Sequence, residues 1–217
     1  MPKKHSKIIL DLEFNPVRVP EIREQMRHEI IEIGAVKLDD SLKEIAAFDE
    51  YIKPAYNTVE EKISHLTGIT NEQLEPCGDF DTVMHRFMDW IGGEPYSLYS
   101  WSLTDMNVML DEIDYKFPED ECYDMFFVHW TDLQKIYQRQ MGFYKSMGLT
   151  NALGSLNIYF DGTEHGALAD ARNTAEIMRY LSDSEKMDKF RNRTHVTYNT
   201  SSDSSGFSLG NITIKRK

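Results

Sequence analysis

The chain opens on a continuous apolar run that turns acidic. Lys7-Ile8-Ile9-Leu10-Asp11-Leu12-Glu13-Phe14 reads as a buried strand over residues 7–14 that carries two carboxylates near its end. Residues 15–27 hold Pro16, Pro20 and several charges, and read as an exposed connection. His28–Leu38 alternates, with Ile31, Ile33, Ala35 and then Val36 changing face with Glu32 and Lys37, as a half-buried strand does. Residues 46–54 form a third strand that Pro54 ends, and Asp39-Asp40-Ser41 links it to the second as a hairpin turn.

Helical spacing follows. A short helix over residues 59–66 stops at Gly68. Phe80, Val83, Met84, Phe87 and Ile91 repeat at three- and four-residue intervals, with Asp79 or Asp81 as N-cap and Gly92-Gly93 as the stop. Residues 96–101 read as a fourth strand, followed by a helix over 104–115 capped by Thr104. A fifth strand is expected over 125–129 and a helix over 131–141. Two further helices are expected over 150–159 and 168–181, with Asp161-Gly162 turning between them. Strands first, then strand–helix alternation, predict an α/β layered domain around a mixed sheet. Its boundary falls at residue 181, and residues 182–217 read as a polar, weakly basic tail, rich in Ser, Thr, Asn and Gly from 194 on.

Composition narrows the setting. The 217 residues are 41% hydrophobic, enough for one core, and no apolar run approaches the roughly 18 to 20 residues of a membrane span. The basic start is followed by only Ile8, Ile9 and Leu10, too short for a secretory leader. Two cysteines, Cys77 and Cys122, make no disulfide framework and suit a reducing cytoplasm. The net charge is −12, although residues 181–217 carry seven bases against four acids. Such a surface repels phosphate, so a protein of this charge that handles polyanions needs bound cations to reverse the field locally.

Three stretches could carry that chemistry. On a strand, Asp11 and Glu13 project to one face and Leu12 to the other. Adjacent carboxylates repel unless a cation or proton intervenes. In His165-Gly166-Ala167-Leu168-Ala169-Asp170, positions five apart do not share a helical face. His165 must therefore precede the helix to meet Asp170, with Gly166 as the permissive residue. Ala167 and Ala169 are small enough for another chain or a substrate backbone to approach. Asp105, in Trp101-Ser102-Leu103-Thr104-Asp105, lies after a strand at a helix start. Four carboxylates, Asp11, Glu13, Asp105 and Asp170, offer the hard oxygen ligands that suit two divalent cations, Mg²⁺ or Mn²⁺. His165 can exchange a proton near neutrality. This is equipment for two-metal phosphodiester hydrolysis.

These motifs, in this order, resemble the DEDDh 3′→5′ exonucleases. They are Asp11-Leu12-Glu13-Phe14, His28 to Ala35, Tyr51-Ile52-Lys53-Pro54, Leu66-Thr67-Gly68-Ile69-Thr70, Trp101 to Asp105, and His165-x-Ala167-x-x-Asp170-Ala171. The branch they most resemble is that of histone-mRNA and RNA-interference-type exonucleases with bacterial KapD-like relatives. The resemblance covers residues 7–181. It implies an RNase H-like fold with a mixed five-stranded sheet flanked by helices. It also implies that Asp11, Glu13 and Asp170 hold one cation, that Asp11 bridges to a second, and that Asp105 assists through water. His165 would be the general base. The Leu12 backbone and the Phe14 ring, with Glu29, Ile30, Leu66, Thr67 and Trp101, would contact a 3′-terminal nucleotide. The implied activity is release of nucleoside 5′-monophosphates from single-stranded 3′ ends, RNA ahead of DNA. Alternatives are a DNA-trimming or short-oligonucleotide nuclease, and a non-catalytic nucleic-acid-binding protein. Asn15 stands where the branch commonly has Thr, and Ser102 where it often has Gly; the first would alter a bond to substrate, the second the approach to Asp105.

Overall fold

A computed structural model describes residues 5–118 and 123–193. Five strands form one sheet: β1 (Ser6–Pro16), β2 (His28–Leu38), β3 (Glu44–Tyr51), β4 (Tyr96–Ser100) and β5 (Trp130–Asp132), in the order β3-β2-β1-β4-β5. The β1–β2 and β2–β3 pairs are antiparallel, β1–β4 and β4–β5 parallel. The mixed five-stranded sheet expected from the sequence is therefore present.

β1 is central because it is apolar on both faces. Ile8, Leu10 and Leu12 pack on one side against α4 (Phe80–Ile91) and α5 (Thr104–Lys116), meeting Phe80, Val83, Phe87, Val108, Met109 and Ile113. Ile9 points to the other side, where Ala175 and Met178 of α9 (Ala167–Ser182) cover it with Val36 of β2. Burying each such side chain is worth roughly 1.5–3 kcal/mol. Because side chains alternate, Asp11 and Glu13 continue the Ile9 face and lie under the start of α9. Gly34 of β2 is paired with Asp11 on this face. A Cβ there would sit 2.0 Å from the Leu168 nitrogen and 2.1 Å from the Ala167 carbonyl carbon. The backbone that approaches Ala167 is thus this chain's own strand, and Ala167 is fully buried.

The remaining elements are α1 (Pro20–Arg23), within the expected connection, α2 (Glu61–Thr67), α3 (Asn71–Leu74), α6 (Asp124–Phe127), α7 (Leu133–Met141), α8 (Leu149–Ser155) and α10 (Ser184–Arg193). Gly68, at φ 77°, ends α2, and a capping box between Thr70 and Gln73 starts α3. Asp79 caps α4 through the Thr82 N–H.

Four expectations are corrected. The strand expected over 125–129 is α6 instead, and β5 begins at Trp130. The apolar run has no preference by periodicity, and packing decides it. Phe126 is fully buried edge-on against Phe87 and Trp130, while the Trp130 indole donates to Ser100 Oγ beside β4. α8 ends at Ser155 and not at 159, since Asn157 takes a left-handed φ of 57° and Ile158 N–H closes back on the Leu153 carbonyl. Thr104 is the first residue of α5, not its cap; the Thr104 N–H is met by Ser102 Oγ. The chain stays packed beyond residue 181, because Met187 of α10 is buried with Trp101, Tyr137 and Ile177. Cys122 and residues 194–217 of the expected tail lie outside the described residues.

Gly34→Ala tests the sheet–helix contact. A methyl group directed at backbone forces α9 to move, and such overpacking costs about 1–3 kcal/mol. Urea denaturation should show a lower midpoint with little change in slope; an unaltered midpoint contradicts the contact.

Candidate active site

Pairing ends set where the acids stand. β1 runs past its parallel partner, which matches only Ser6 to Ile9, so the Leu12 N–H on that side has no strand to bond. Asp105 Oδ1, at the start of α5, accepts it at 3.3 Å. On the β2 side the ladder shifts register between Glu13 and Phe14, placing Glu13 opposite Glu32 and Phe14 opposite Ile30. Such a bulge re-aims side chains, and it falls at the acidic end of β1.

The third component arrives with α9. His165 precedes the helix, as expected, but the left-handed backbone is its own (φ 63°), while Gly166 is ordinary extended N-cap at φ −113°. The turn brings His165 and Asp170 beside Glu13, and one ligand atom from each lies within 4.8 Å of the others. Asp11 is not in that tight triplet. It interacts with Asp105, Asp170 and Glu13, each of which raises its carboxyl.

Burial is the largest cause of every shift here. It holds Asp11 well above the usual carboxylate range, with repulsion from Asp105, Asp170 and Glu13 adding to it. Burial lifts Glu13 to about 8, with Glu32, Asp170 and Asp105 contributing. Asp105 rises to about 7 despite its hydrogen bonds, and Asp170 to about 6, where His165 holds it back. Ionising Glu13 alone against such a shift costs on the order of 4–5 kcal/mol, a large part of a domain's stability. Protons or cations must therefore accompany these acids. The residues present fit cations: Asp170 Oδ1 is buried without a hydrogen-bond partner, and the donors are hard oxygens with one imidazole.

The residues expected to touch a nucleotide divide. Phe14 is half-buried, edge-on to His28 with ring centroids 5.0 Å apart, and Leu66 on α2 is 50% exposed. Glu29 does not meet the expectation: it is 1% exposed, and its oxygens accept the Ala55 and Tyr56 N–H groups at 2.8 and 3.1 Å. Ile30 is fully buried, with its N–H donated to Glu112 Oε2 at 2.7 Å. The Trp101 indole is 7% exposed, donates to the Met147 carbonyl and packs on Tyr137. The Leu12 side chain is core, and the Thr67 hydroxyl is spent on the Ile63 carbonyl and Ile69 N–H. Asn15 is fully buried too, its side chain tying the Thr58 carbonyl and Glu60 N–H of the segment before α2. Ser102 serves the first turn of α5.

Sequence reading missed Glu32 and Glu112. The alternation places Glu32 on the solvent side of a half-buried strand, yet it is 4% exposed because α5 and α9 both pack on β2. The signal was present: Gly34 and Val36 share the Glu32 face, which an exposed face would not require. Glu112 is fully buried, raised by burial to about 7, and paired with Lys116 at 2.6 Å.

The shifts fix a pH dependence. An unfolded chain releases these protons near pH 4, whereas the folded site keeps them until about pH 6 to 8. Over that window the native state binds more protons, so the site's contribution to stability falls as pH rises. In chelator, the melting temperature should drop from pH 5 to pH 8, and Asp105→Asn should flatten the drop. Mg²⁺ should raise it more at pH 8 than at pH 5; a metal effect independent of pH contradicts the assignment.

Comparison with known proteins agrees with this geometry. Residues 8–178 match the exonuclease family RNase_T. The chain is 33% identical over 171 residues to human 3′-5′ exoribonuclease 1, covering 72% of this chain and 47% of the relative. It therefore spans about half the length of that curated relative. The nuclease domain of 3′hExo, a DEDDh family member bound to rAMP, superposes with a TM-score of 0.66 at 28% identity over 82% of this chain and 92% of that one. E. coli Exonuclease I in complex with a dT13 oligonucleotide shares the fold, with a TM-score of 0.66 at 15% identity over 89% and 44% of the two chains. Divalent metal ions are the cofactors of this kind of nuclease, in keeping with the acids gathered here. By the span matched, the chain belongs to the RNase_T exonuclease family.

Proposed function

We propose that this protein is a 3′→5′ exonuclease that shortens single-stranded nucleic acid, RNA ahead of DNA, and releases nucleoside 5′-monophosphates, with Mg²⁺ or Mn²⁺ as its cations. The observation that carries the reading is the convergence of Glu13, His165 and Asp170, with Asp11 and Asp105 alongside, at the half-buried acidic end of β1. Relatives named 3′-5′ exoribonuclease and the fold shared with a domain bound to rAMP support it. Cytoplasmic residence is inferred from the paucity of cysteine. Among the described residues no helix is long and apolar enough to cross a membrane.

Asp11, Glu13 and Asp170, with Asp105, would hold the cations; when bound, these supply charge that offsets the acids and the phosphate and makes water more acidic. A nitrogen of the His165 imidazole takes the proton from the attacking water. The water oxygen bonds to phosphorus as the bond to the 3′-oxygen of the penultimate nucleotide breaks. Phe14 and Leu66 offer apolar surface for stacking against terminal bases, contacts that tolerate any sequence. With a net charge of −12, attraction is local and only a few 3′ nucleotides are gripped.

Oligonucleotides labelled at the 5′ end should give a ladder descending one nucleotide at a time in Mg²⁺ or Mn²⁺, abolished by chelator and by Asp11→Ala. His165→Asn should keep metal binding and slow the reaction by about 10²–10⁴-fold, the usual worth of a general base. No shortening of either RNA or DNA refutes the proposal; equal rates on matched strands remove the preference for RNA, for which the 2′-hydroxyl is the discriminating group.

A further inference from the structure

The first turn of α9 carries the site's imidazole and one of its acids, and its anchorage is unusual. A helix leaves its first N–H groups unpaired, and a side chain at the N-cap ordinarily accepts one. Here the N-cap is Gly166, which has no side chain to offer. The Ala167 N–H is met instead by Glu32 Oε2, at 3.3 Å, from a strand 135 positions away in sequence. Two residues along the same face of β2, Gly34 lets the backbone of Ala167 and Leu168 settle directly on the strand. Glu32 is 4% exposed, faces Glu13 across the ladder, and lies beside the Asp49 carboxylate of β3. It stands outside the triplet of donor atoms formed by Glu13, His165 and Asp170. His165 immediately precedes this anchored turn in a left-handed conformation, and the Asp170 N–H closes onto the Gly166 carbonyl.

We propose that Glu32 is a positioning residue: by accepting the Ala167 N–H it fixes the start of α9 on β2, and so sets where His165 and Asp170 stand against Asp11 and Glu13. Resting on the nuclease reading above, this extends it to a residue that touches neither water nor phosphate. The bond acts at a lever point. A small slide of the 166–168 backbone displaces His165 on one side and Asp170 on the other, whereas Asp11 and Glu13 stay with the sheet. A displacement of about 1 Å in such a constellation can lower a rate by about 10²-fold.

Glu32→Met keeps the buried volume and removes the acceptor. Glu32→Gln keeps an acceptor for the Ala167 N–H and offers a donor to Asp49. Glu32→Met should lower kcat by about 10²-fold with little change in KM, and Glu32→Gln should recover most of that loss. Hydrogen exchange at the amides of residues 167–170 should quicken by about tenfold or more in Glu32→Met, with the exchange of β1 unchanged. Wild-type kcat in Glu32→Met overturns the proposal. So does a Glu32→Gln variant as impaired as Glu32→Met with a raised metal requirement, which would make Glu32 a ligand. If the unmodified protein shortens no oligonucleotide, the nuclease reading fails, and the exchange measurement still decides the role of Glu32: unchanged exchange at 167–170 overturns it.

Discussion

Carboxylates drawn out of water against one another lose hydration and repel, and this chain gathers five of them around the acidic end of β1: Asp11, Glu13, Glu32, Asp105 and Asp170. The two apolar clusters packed on either side of β1 supply the burial that offsets that cost. Their scale matters, since a single ionised acid in this setting costs as much as about two buried aliphatic side chains contribute. The same burial tunes the site, because acids that would be ionised and solvated at neutrality are left ready to accept dications.

Hydrogen bonds from the backbone do the assembling. Asp105 takes the Leu12 N–H where β1 outruns β4. Glu112 takes the Ile30 N–H near the bulge, holding the middle of the helix whose first turn contains Asp105. Glu32 takes the Ala167 N–H at the head of α9. Each bond joins a helix to a strand at a place where regular pairing or capping leaves a donor free. Carboxylates accepting amide N–H groups make stronger bonds than neutral pairs do. Glu32 and Glu112, outside the proposed cation-holding set, thus fasten the helices that carry Asp170 and Asp105.

The acidic surface becomes intelligible on the same grounds. A net charge of −12 disfavours long-range capture of a polyanion, and an extended basic groove would not be needed by the proposed reading of one chain end. Cations recruited by the acids would supply the attraction where it is required and nowhere else. Asn15, which differs from the residue common in the branch it resembles, bears on the shape of this site only indirectly, through the segment leading to Leu66.

Much was legible in the residues themselves. The run from Ile8 to Phe14 announces a buried strand with two carboxylates on one face, and the five-residue spacing from His165 to Asp170 requires the histidine to lie ahead of its helix. Strand periodicity and helical geometry are local, so local sequence determines them. Tertiary packing decided the rest. It made a helix of the aromatic stretch at 124–127, buried Glu29 and Ile30 where contacts to a nucleotide were expected, and moved the left-handed turn from Gly166 to His165. It also turned Glu32 inward, because whether the second face of β2 meets water depends on a helix more than a hundred residues away. Which donor a buried carboxylate accepts from is a property of assembled elements, and no window of sequence contains both partners.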